Sequence, residues 1–239
     1  MTRSPVADQL DAAASETRAL HDQIGAALPV LQPDRAWFQR IDDAPSDDVR
    51  AYILAAMLDC TTVCVHIRRG GPQPAFVQLP PGSGPRHLLF SADGKHAWLT
   101  MEMSAQVAVF DYHDGTLEQT QMVDLAAGQP VSDKAAAALH ASADGKFLYV
   151  SNRGTANQLL VFGIDPVTAR LTELQRRAVE GDHPREFSLD PSSNFVLIAN
   201  QKSNQIVVVE RDAKSGLLGQ TVQKLPMDAP SDLKFLLRQ

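Results

Sequence analysis

Residues 138–152 read ALHASADGKFLYVSN, in which an Asp-Gly turn separates two apolar runs. The same unit occurs as GPRHLLFSADGKHAWLT at 84–100 and as HPREFSLDPSSNFVLIAN at 183–200, and it begins again as APSDLKF at 229–235. Asp-Gly between apolar runs is a strong hairpin signal, because Gly accepts the positive φ of a tight reversal. The last two thirds of the chain are therefore expected to repeat one β-hairpin unit.

The spacing of the units predicts how the hairpins are organised. Equivalent positions lie 51, 48 and 46 residues apart, at Phe90, Ala141, Leu189 and Phe235. A third apolar run follows each complete hairpin, at 107–110, 158–162 and 206–209, and Leu117, Leu171 and Leu217 then open a fourth. Four short strands per repeat, with a period between the forties and about fifty, are typical of the blades of a β-propeller.

The first 75 residues lack this repeat. Residues 7–31 are Ala-rich with apolar residues near helical spacing, and Ser46 to Asp48 could cap a second helix that runs to Leu58. Residues 61–67 could form a strand. The sequence thus predicts a mainly β protein with two parts: a mixed, mostly helical or poorly ordered segment over 1–75, and a partial propeller of about three blades over 76–239.

Composition limits the classes of function. The chain is 44% hydrophobic with a formal charge of −6, which argues against a broad nucleic-acid interface. Cys60 and Cys64 lack the spacing of a redox or zinc motif, so we expect no metal and no cofactor. We see no apolar stretch of membrane-spanning length and no secretory signal, so we expect no membrane contact and a cytoplasmic protein.

The motifs around the repeats resemble those of the lactonase family of seven-bladed propellers, which includes a 6-phosphogluconolactonase and a carboxymuconate-cyclising enzyme. The similarity covers about residues 75–239, a little over three blades. The matching segments are residues 84–87, 101–102, 139–140, 151–154, 183–187 and 199–203.

The resemblance implies hydrolysis of a sugar lactone, such as 6-phosphogluconolactone, without a metal. It implies catalytic roles for Arg86, Glu102, His140 and Arg185, and substrate binding by His87 together with the two arginines. Such a reaction needs an activated water, a polarised carbonyl and a group that holds the substrate's anion. Guanidinium groups suit both the carbonyl and the anion.

Each of these roles has a structural alternative. Arg86 and Arg185 hold equivalent positions in two repeats and could instead form ion pairs between blades. Glu102 could act as a base or could orient an arginine. His87 and His140 could be hydrogen-bonded core residues. The sequence alone leaves these alternatives open.

Three departures from the family pattern favour a different function. Met101 stands where the other repeats have Asn, and Ala138 stands where an acidic residue is usual. A histidine expected about fifty residues before Arg86 is absent from Ala36-Trp37-Phe38-Gln39. The alternative to a hydrolase is therefore a non-catalytic truncated propeller fragment, or a protein-binding module that recruits a partner by strand addition.

A partial propeller also raises the question of what covers its open edges. Residues 1–75 could cover them, or a homodimer could complete the ring. One hypothesis is that residues 1–75 are unrelated sequence that replaces earlier blades.

Overall fold

The structure, a computed structural model, describes residues 75–113 and 116–235 and the backbone of three earlier strands at 36–40, 51–56 and 62–67. The strands in this part of the chain form four-stranded antiparallel sheets in simple meander order. Sheet I contains β1 Ala36–Arg40, β2 Ala51–Ala56, β3 Thr62–Ile67 and β4 Ala75–Gln78. Sheet II contains β5 Pro85–Phe90, β6 His96–Met101, β7 Gln106–His113 and β8 Thr116–Asp124. Sheet III contains β9 Ala136–Ala141, β10 Phe147–Asn152, β11 Gln158–Ile164 and β12 Leu171–Ala178. Sheet IV contains β13 Pro184–Leu189, β14 Phe195–Asn200, β15 Gln205–Arg211 and β16 Leu218–Pro226.

The predicted hairpins are confirmed in the repeats. Gly94 and Gly145 have φ of 68° and 69° at the turns that join the first two strands of sheets II and III. In the first of these turns, the Asp93 carboxylate accepts hydrogen bonds from the Ser91 hydroxyl and the Lys95 amide, at 2.7 and 3.1 Å. The turn sequence therefore closes each hairpin through its own side chain, as expected for Asp before Gly.

Sheets II and III pack against neighbouring sheets on both faces, because the third strand of each is apolar on both sides. In β7, Ala108 and Phe110 pack in one cluster with Leu79, whereas Val107 and Val109 pack in the next cluster with residues of sheet III. Strand β11 alternates in the same way between two clusters. Side chains alternate between the two faces of a strand, so an unbroken apolar run is what a sheet covered on both faces requires.

Polar side chains also tie neighbouring sheets together at equivalent positions. Trp98 Nε1 donates to the Ala169 carbonyl at 3.0 Å, and the Tyr149 hydroxyl donates to the Gly216 carbonyl at 2.7 Å. Trp98 and Tyr149 are both buried. Gln121 makes two hydrogen bonds with the backbone of Leu171, and the equivalent glutamine of sheet III does the same with sheet IV.

The mainly β fold is confirmed, but the second N-terminal helix is wrong where the structure describes it. Residues 51–56 form β2, which pairs with β1 on one side and β3 on the other. A short apolar run is ambiguous between helix and strand, and here two flanking partners supply the backbone hydrogen bonds of a sheet. The strand expected at 61–67 is confirmed as β3. The helix expected at 7–31 lies outside the described residues, and the boundary near residue 75 stays a prediction.

The fourth copy of the repeat does not form a strand over residues 229–235. None of the described strands pairs with this segment, and a first strand needs a second strand for its backbone hydrogen bonds. Within the described residues, we find no helix with the length and apolarity needed to cross a bilayer.

Candidate functional site

The first strands of sheets II, III and IV lie side by side, since β9 contacts both β5 and β13. The second residue of each strand therefore recurs at the same place in three neighbouring sheets. These residues are Arg86, Ala137 and Arg185. Arg86 and Arg185, two of the four residues predicted to be catalytic, thus hold equivalent positions in the structure, as the alignment of the repeats predicted.

The residue directly after the second strand is the other recurrent position of the site. It is Glu102 in sheet II, Arg153 in sheet III and Gln201 in sheet IV. The Glu102 carboxylate lies between two arginines: one oxygen is 3.3 Å from Arg86 Nε, and the other contacts Arg153 Nη2. The ion pair between neighbouring sheets is therefore Glu102–Arg153, whereas the Arg86–Glu102 pair lies within sheet II.

Arg185 differs from Arg86 because it has no carboxylate opposite it. The position that holds Glu102 in sheet II holds the neutral Gln201 in sheet IV. Among the described residues, the Arg185 side chain has neither a hydrogen bond nor an ion pair, and it lies near enough to Arg86 to lower that group's pKa. Like charges held together in this way favour an anion between them.

Two donors of this arginine cluster are buried without a partner in the described part of the chain. They are Arg86 Nη1 and Arg153 Nε. The Arg86 side chain is 13% exposed and that of Arg153 is 4% exposed. Burial, together with the nearby charge of Arg153, lowers the pKa of Arg86 to about 10, so this guanidinium is still charged at pH 7. Unsatisfied buried donors cost free energy, which an anion that accepts from them would recover.

His140 and Glu186 form a second unit beside the arginines. His140 Nε2 lies 2.8 Å from Glu186 Oε1, and the imidazole packs edge-on against Phe187 with 4.9 Å between ring centres. Burial raises the pKa of the Glu186 carboxyl, but the hydrogen bond with His140, the charge of His140 and the hydrogen bond from the Phe187 amide together outweigh burial and leave the pKa below its usual value. An ionised carboxylate only accepts hydrogen bonds, so Nε2 carries the hydrogen of this bond, and Nδ1 is the acceptor in the tautomer that this bond selects.

His87 lies beside this unit at the position that Glu186 occupies in sheet IV. Its backbone amide donates to Thr100 Oγ1 at 3.1 Å. Burial, followed by the charge of Arg86, lowers the pKa of His87 to about 4. The imidazole is thus neutral at pH 7 and adds polarity to the site without adding positive charge.

Met101 and Ala138, the two residues that depart from the family pattern, lie in the core of this structure. Met101 is completely buried in the cluster between sheets I and II. At the equivalent positions, the amides of Asn152 and Asn200 donate to the carbonyls of Asp133 and Val179 in nearby loops. Met101 therefore replaces a loop-bracing amide with apolar packing. Ala138 is also buried, and the carboxylate that contacts His140 is that of Glu186.

Two residues of the site, Arg153 and Glu186, were not given a role from the sequence. Both lie in segments that match family motifs, and both hold positions equivalent to residues that were singled out. Arg153 is the counterpart of Glu102 in the next repeat, and Glu186 is the counterpart of His87. Aligning the repeats position by position could have identified them, because equivalent positions converge on one region.

The described residues contain no group of three or more His, Cys, Asp or Glu side chains placed to hold a metal ion. The position where a further histidine was expected, Ala36 to Gln39, falls on β1, whose side chains lie outside the described residues.

Comparison with known proteins places these observations in a family. Residues 40–235 match the family model described as "Lactonase, 7-bladed beta-propeller". The 6-phosphogluconolactonase of Formosa agariphila is 37% identical over 161 residues, which are 66% of this chain and 45% of that protein. The 6-phosphogluconolactonase of Bacillus subtilis is 31% identical over 158 residues, 65% of this chain and 45% of that protein. The chain thus spans about half the length of the curated relatives it matches.

Solved structures give the same result. The periplasmic gluconolactonase PpgL of Pseudomonas aeruginosa superposes with a TM-score of 0.74 and 41% identity, over 87% of this chain and 59% of that one. A putative 6-phosphogluconolactonase of Bacteroides fragilis superposes with a TM-score of 0.71 and 29% identity, over 84% and 58% of the two chains.

Proposed function

Since the chain belongs to the lactonase family of seven-bladed β-propellers, we propose that it is a hydrolase of a sugar lactone and that the arginine cluster binds its substrate. The observation that carries the proposal is the buried Arg86 guanidinium, whose Nη1 has no partner in the described part of the chain. Arg185 beside it has no carboxylate partner among the described residues. Together they form a place where an anion or a developing oxyanion is stabilised.

We assign the proton transfers to His140. Its Nδ1 takes a proton from water while the water oxygen forms a bond to the lactone carbonyl carbon. The carbonyl oxygen becomes an oxyanion, which a guanidinium group stabilises. The intermediate then collapses, the bond between the carbonyl carbon and the ring oxygen breaks, and His140 returns the proton to that oxygen. The product is the open-chain hydroxy acid, whose carboxyl group releases a proton to solvent.

The geometry favours an orienting role for Glu102 over a role as base. Its carboxylate is engaged by both Arg86 and Arg153. Each of its two oxygens already contacts a guanidinium group, an arrangement that suits holding the arginines in position. Glu102 therefore holds the two guanidinium groups in place against their mutual repulsion.

The substrate class follows from the charge of the site. Two relatives are named 6-phosphogluconolactonase and one is named gluconolactonase. We propose a phosphorylated sugar lactone, because Arg86, Arg153 and Arg185 outnumber the carboxylates of Glu102 and Glu186. The proposal includes reaction without a metal, since guanidinium groups supply the positive charge at the carbonyl.

Binding without turnover is the second candidate. The observation that favours it is that this chain matches about half the length of its relatives. A complete site could therefore include groups from the part of the relatives that this chain does not match. Location in the cytoplasm and completion of the ring by a second copy stay predictions.

The test is the rate of 6-phosphogluconolactone hydrolysis by the purified chain, corrected for the spontaneous reaction. We expect a rate above the spontaneous one that Arg86→Ala abolishes and that Lys214→Ala, which removes a positive charge from an exposed turn, does not. Binding of 6-phosphogluconate without such a rate would select the second candidate.

A further inference from the structure

His183 occupies a backbone position that sheet II fills with glycine. Gly84 and His183 each precede a proline at the start of a first strand, with φ of 65° and 62°. The carbonyl of each accepts the amide of the residue after the second strand: Glu102 donates to Gly84 at 2.6 Å, and Gln201 donates to His183 at 3.0 Å. The two loops therefore have the same hydrogen bonds and the same left-handed residue.

Histidine is an unfavourable choice for this backbone. A residue with a Cβ is strained at positive φ, and glycine is not. Strain of this kind persists only where the surrounding structure holds the residue in place, and it is often found at functional sites. The question is therefore what the imidazole of His183 does.

The imidazole contacts Arg153, the most buried arginine of the site. His183 Nε2 lies 3.1 Å from Arg153 Nη1. Burial, and next the charge of Arg153, lowers the pKa of His183 to about 4, so the ring is neutral at pH 7 and Nε2 can accept. Arg153 thus donates to His183 through one terminal nitrogen while its other terminal nitrogen contacts Glu102.

We propose that His183 is a positioning residue for the site: its imidazole accepts a hydrogen bond from Arg153 and holds that guanidinium against Glu102, and through Glu102 it sets the place of Arg86. The inference rests on the proposed function for its effect on hydrolysis. The structural part of the inference, the orientation of Arg153 by His183, does not depend on the identity of the substrate.

The loop itself is held by other contacts, so the side chain can be tested alone. The Asn157 side chain accepts from the His183 amide at 2.8 Å and donates to Asp182 at 3.0 Å. The Asn157 carbonyl also accepts from the Val179 amide at 3.0 Å. None of these contacts uses the imidazole.

Three variants separate the possibilities. His183→Gly removes the imidazole and relieves the strain. His183→Gln keeps the strain but places an amide oxygen near the position of Nε2, where it can accept from Arg153. Ser193→Gly is the matched control, because Ser193 also has φ of 62° and lies in the turn between β13 and β14.

We expect His183→Gly to lower kcat/KM about tenfold, the value of one lost charge-assisted hydrogen bond. Its Tm should lie no more than about 6 °C below that of Ser193→Gly, because both changes relieve the same backbone strain and only His183→Gly leaves the buried Arg153 Nη1 without its acceptor. His183→Gln should recover kcat/KM to within roughly threefold of the unchanged chain, because its amide oxygen restores the acceptor.

Nitrogen-15 NMR of the arginine side chains, assigned with Arg153→Lys, provides a readout without turnover. Rotation of the Arg153 guanidinium should be slow in the unchanged chain and in His183→Gln, and fast in His183→Gly. An unchanged rotation rate in His183→Gly overturns the inference, as does a His183→Gln variant as impaired as His183→Gly. A large fall in Tm for His183→Gly alone would assign the imidazole to folding and also overturn it. Absence of hydrolysis by the unchanged chain counts against the proposed function only, and the rotation rates then decide the inference.

Discussion

Arg86 and Arg185 occupy the same position in sheets II and IV, but only Arg86 faces a carboxylate. Glu102 follows β6, whereas the neutral Gln201 follows β14. The sheet between them reverses the arrangement, with Ala137 on its first strand and Arg153 after its second. The two recurrent positions thus hold Arg and Glu in sheet II, Ala and Arg in sheet III, and Arg and Gln in sheet IV. Together they place three arginines and one carboxylate in one region, which leaves an excess of positive charge there.

Arg185→Gln is expected to lower kcat/KM for 6-phosphogluconolactone by about 10- to 100-fold, the value of a charge-assisted hydrogen bond to an anion. The loss should be clearly smaller for gluconolactone, which carries no phosphate. Tm should change by less than about 2 °C, because Arg185 forms no ion pair with described residues. Equal losses for both lactones would contradict a role in binding the anion, and Lys214→Ala is the control for net charge.

Glu102→Gln is expected to lower both Tm and kcat/KM, the latter by about tenfold, because two guanidinium groups then repel each other without a charge between them. The acid limb of the pH–rate profile should persist in this variant and disappear in His140→Gln. If Glu102 is the base, Glu102→Gln will itself remove the limb and reduce kcat by more than about a thousandfold.

The pH dependence of stability should depend on His87. Its pKa is about 4 in the folded chain and near 6.5 when unfolded, so between these values the unfolded state binds more protons. The free energy of unfolding should therefore decrease as pH falls from 6.5 to 4. His87→Gln should remove roughly 2 kcal/mol of this decrease between pH 7 and 4.5. Denaturant titrations at several pH values would measure it, and parallel curves for both proteins would count against a buried neutral His87.

Tyr149→Phe is expected to destabilise the chain by about 2 kcal/mol without changing kcat/KM. The Tyr149 hydroxyl accepts from Arg211 Nε at 2.6 Å and donates to the Gly216 carbonyl at 2.7 Å, and Tyr149 is fully buried. Removing the oxygen leaves Arg211 Nε and the Gly216 carbonyl without this partner, whereas Arg211 Nη1 keeps its bond to the Ser193 carbonyl. Denaturant unfolding measures the loss, and an unaltered midpoint would show that these bonds do not contribute.

Prolonged dialysis against EDTA should leave the hydrolysis rate unchanged, because we assign polarisation of the carbonyl to guanidinium groups. The rate is measured before and after dialysis, and again after adding back divalent cations. A rate that falls and is restored by one cation would contradict this assignment.

Local sequence was sufficient for the hairpins and for the equivalence of Arg86 and Arg185. Asp-Gly turns and short apolar runs are features of a few residues, so they can be recognised wherever they recur. The same local information was misleading over 51–56, where an apolar run with a helix cap forms β2. Its strand partners decide between the two structures: β1 ends at Arg40 and β3 begins at Thr62, both beyond the run itself.

The sequence by itself therefore determined the repeat, the strands of sheets II to IV and which residues share a position in each sheet. Only the tertiary structure decided which of those positions contact one another. Glu102 contacts Arg153, which lies 51 residues later in the sequence, and His140 contacts Glu186, which lies 46 residues later. Contacts at this separation form only when whole sheets stack, because the apolar faces of β7, β11 and β15 set the distance and register between neighbouring sheets.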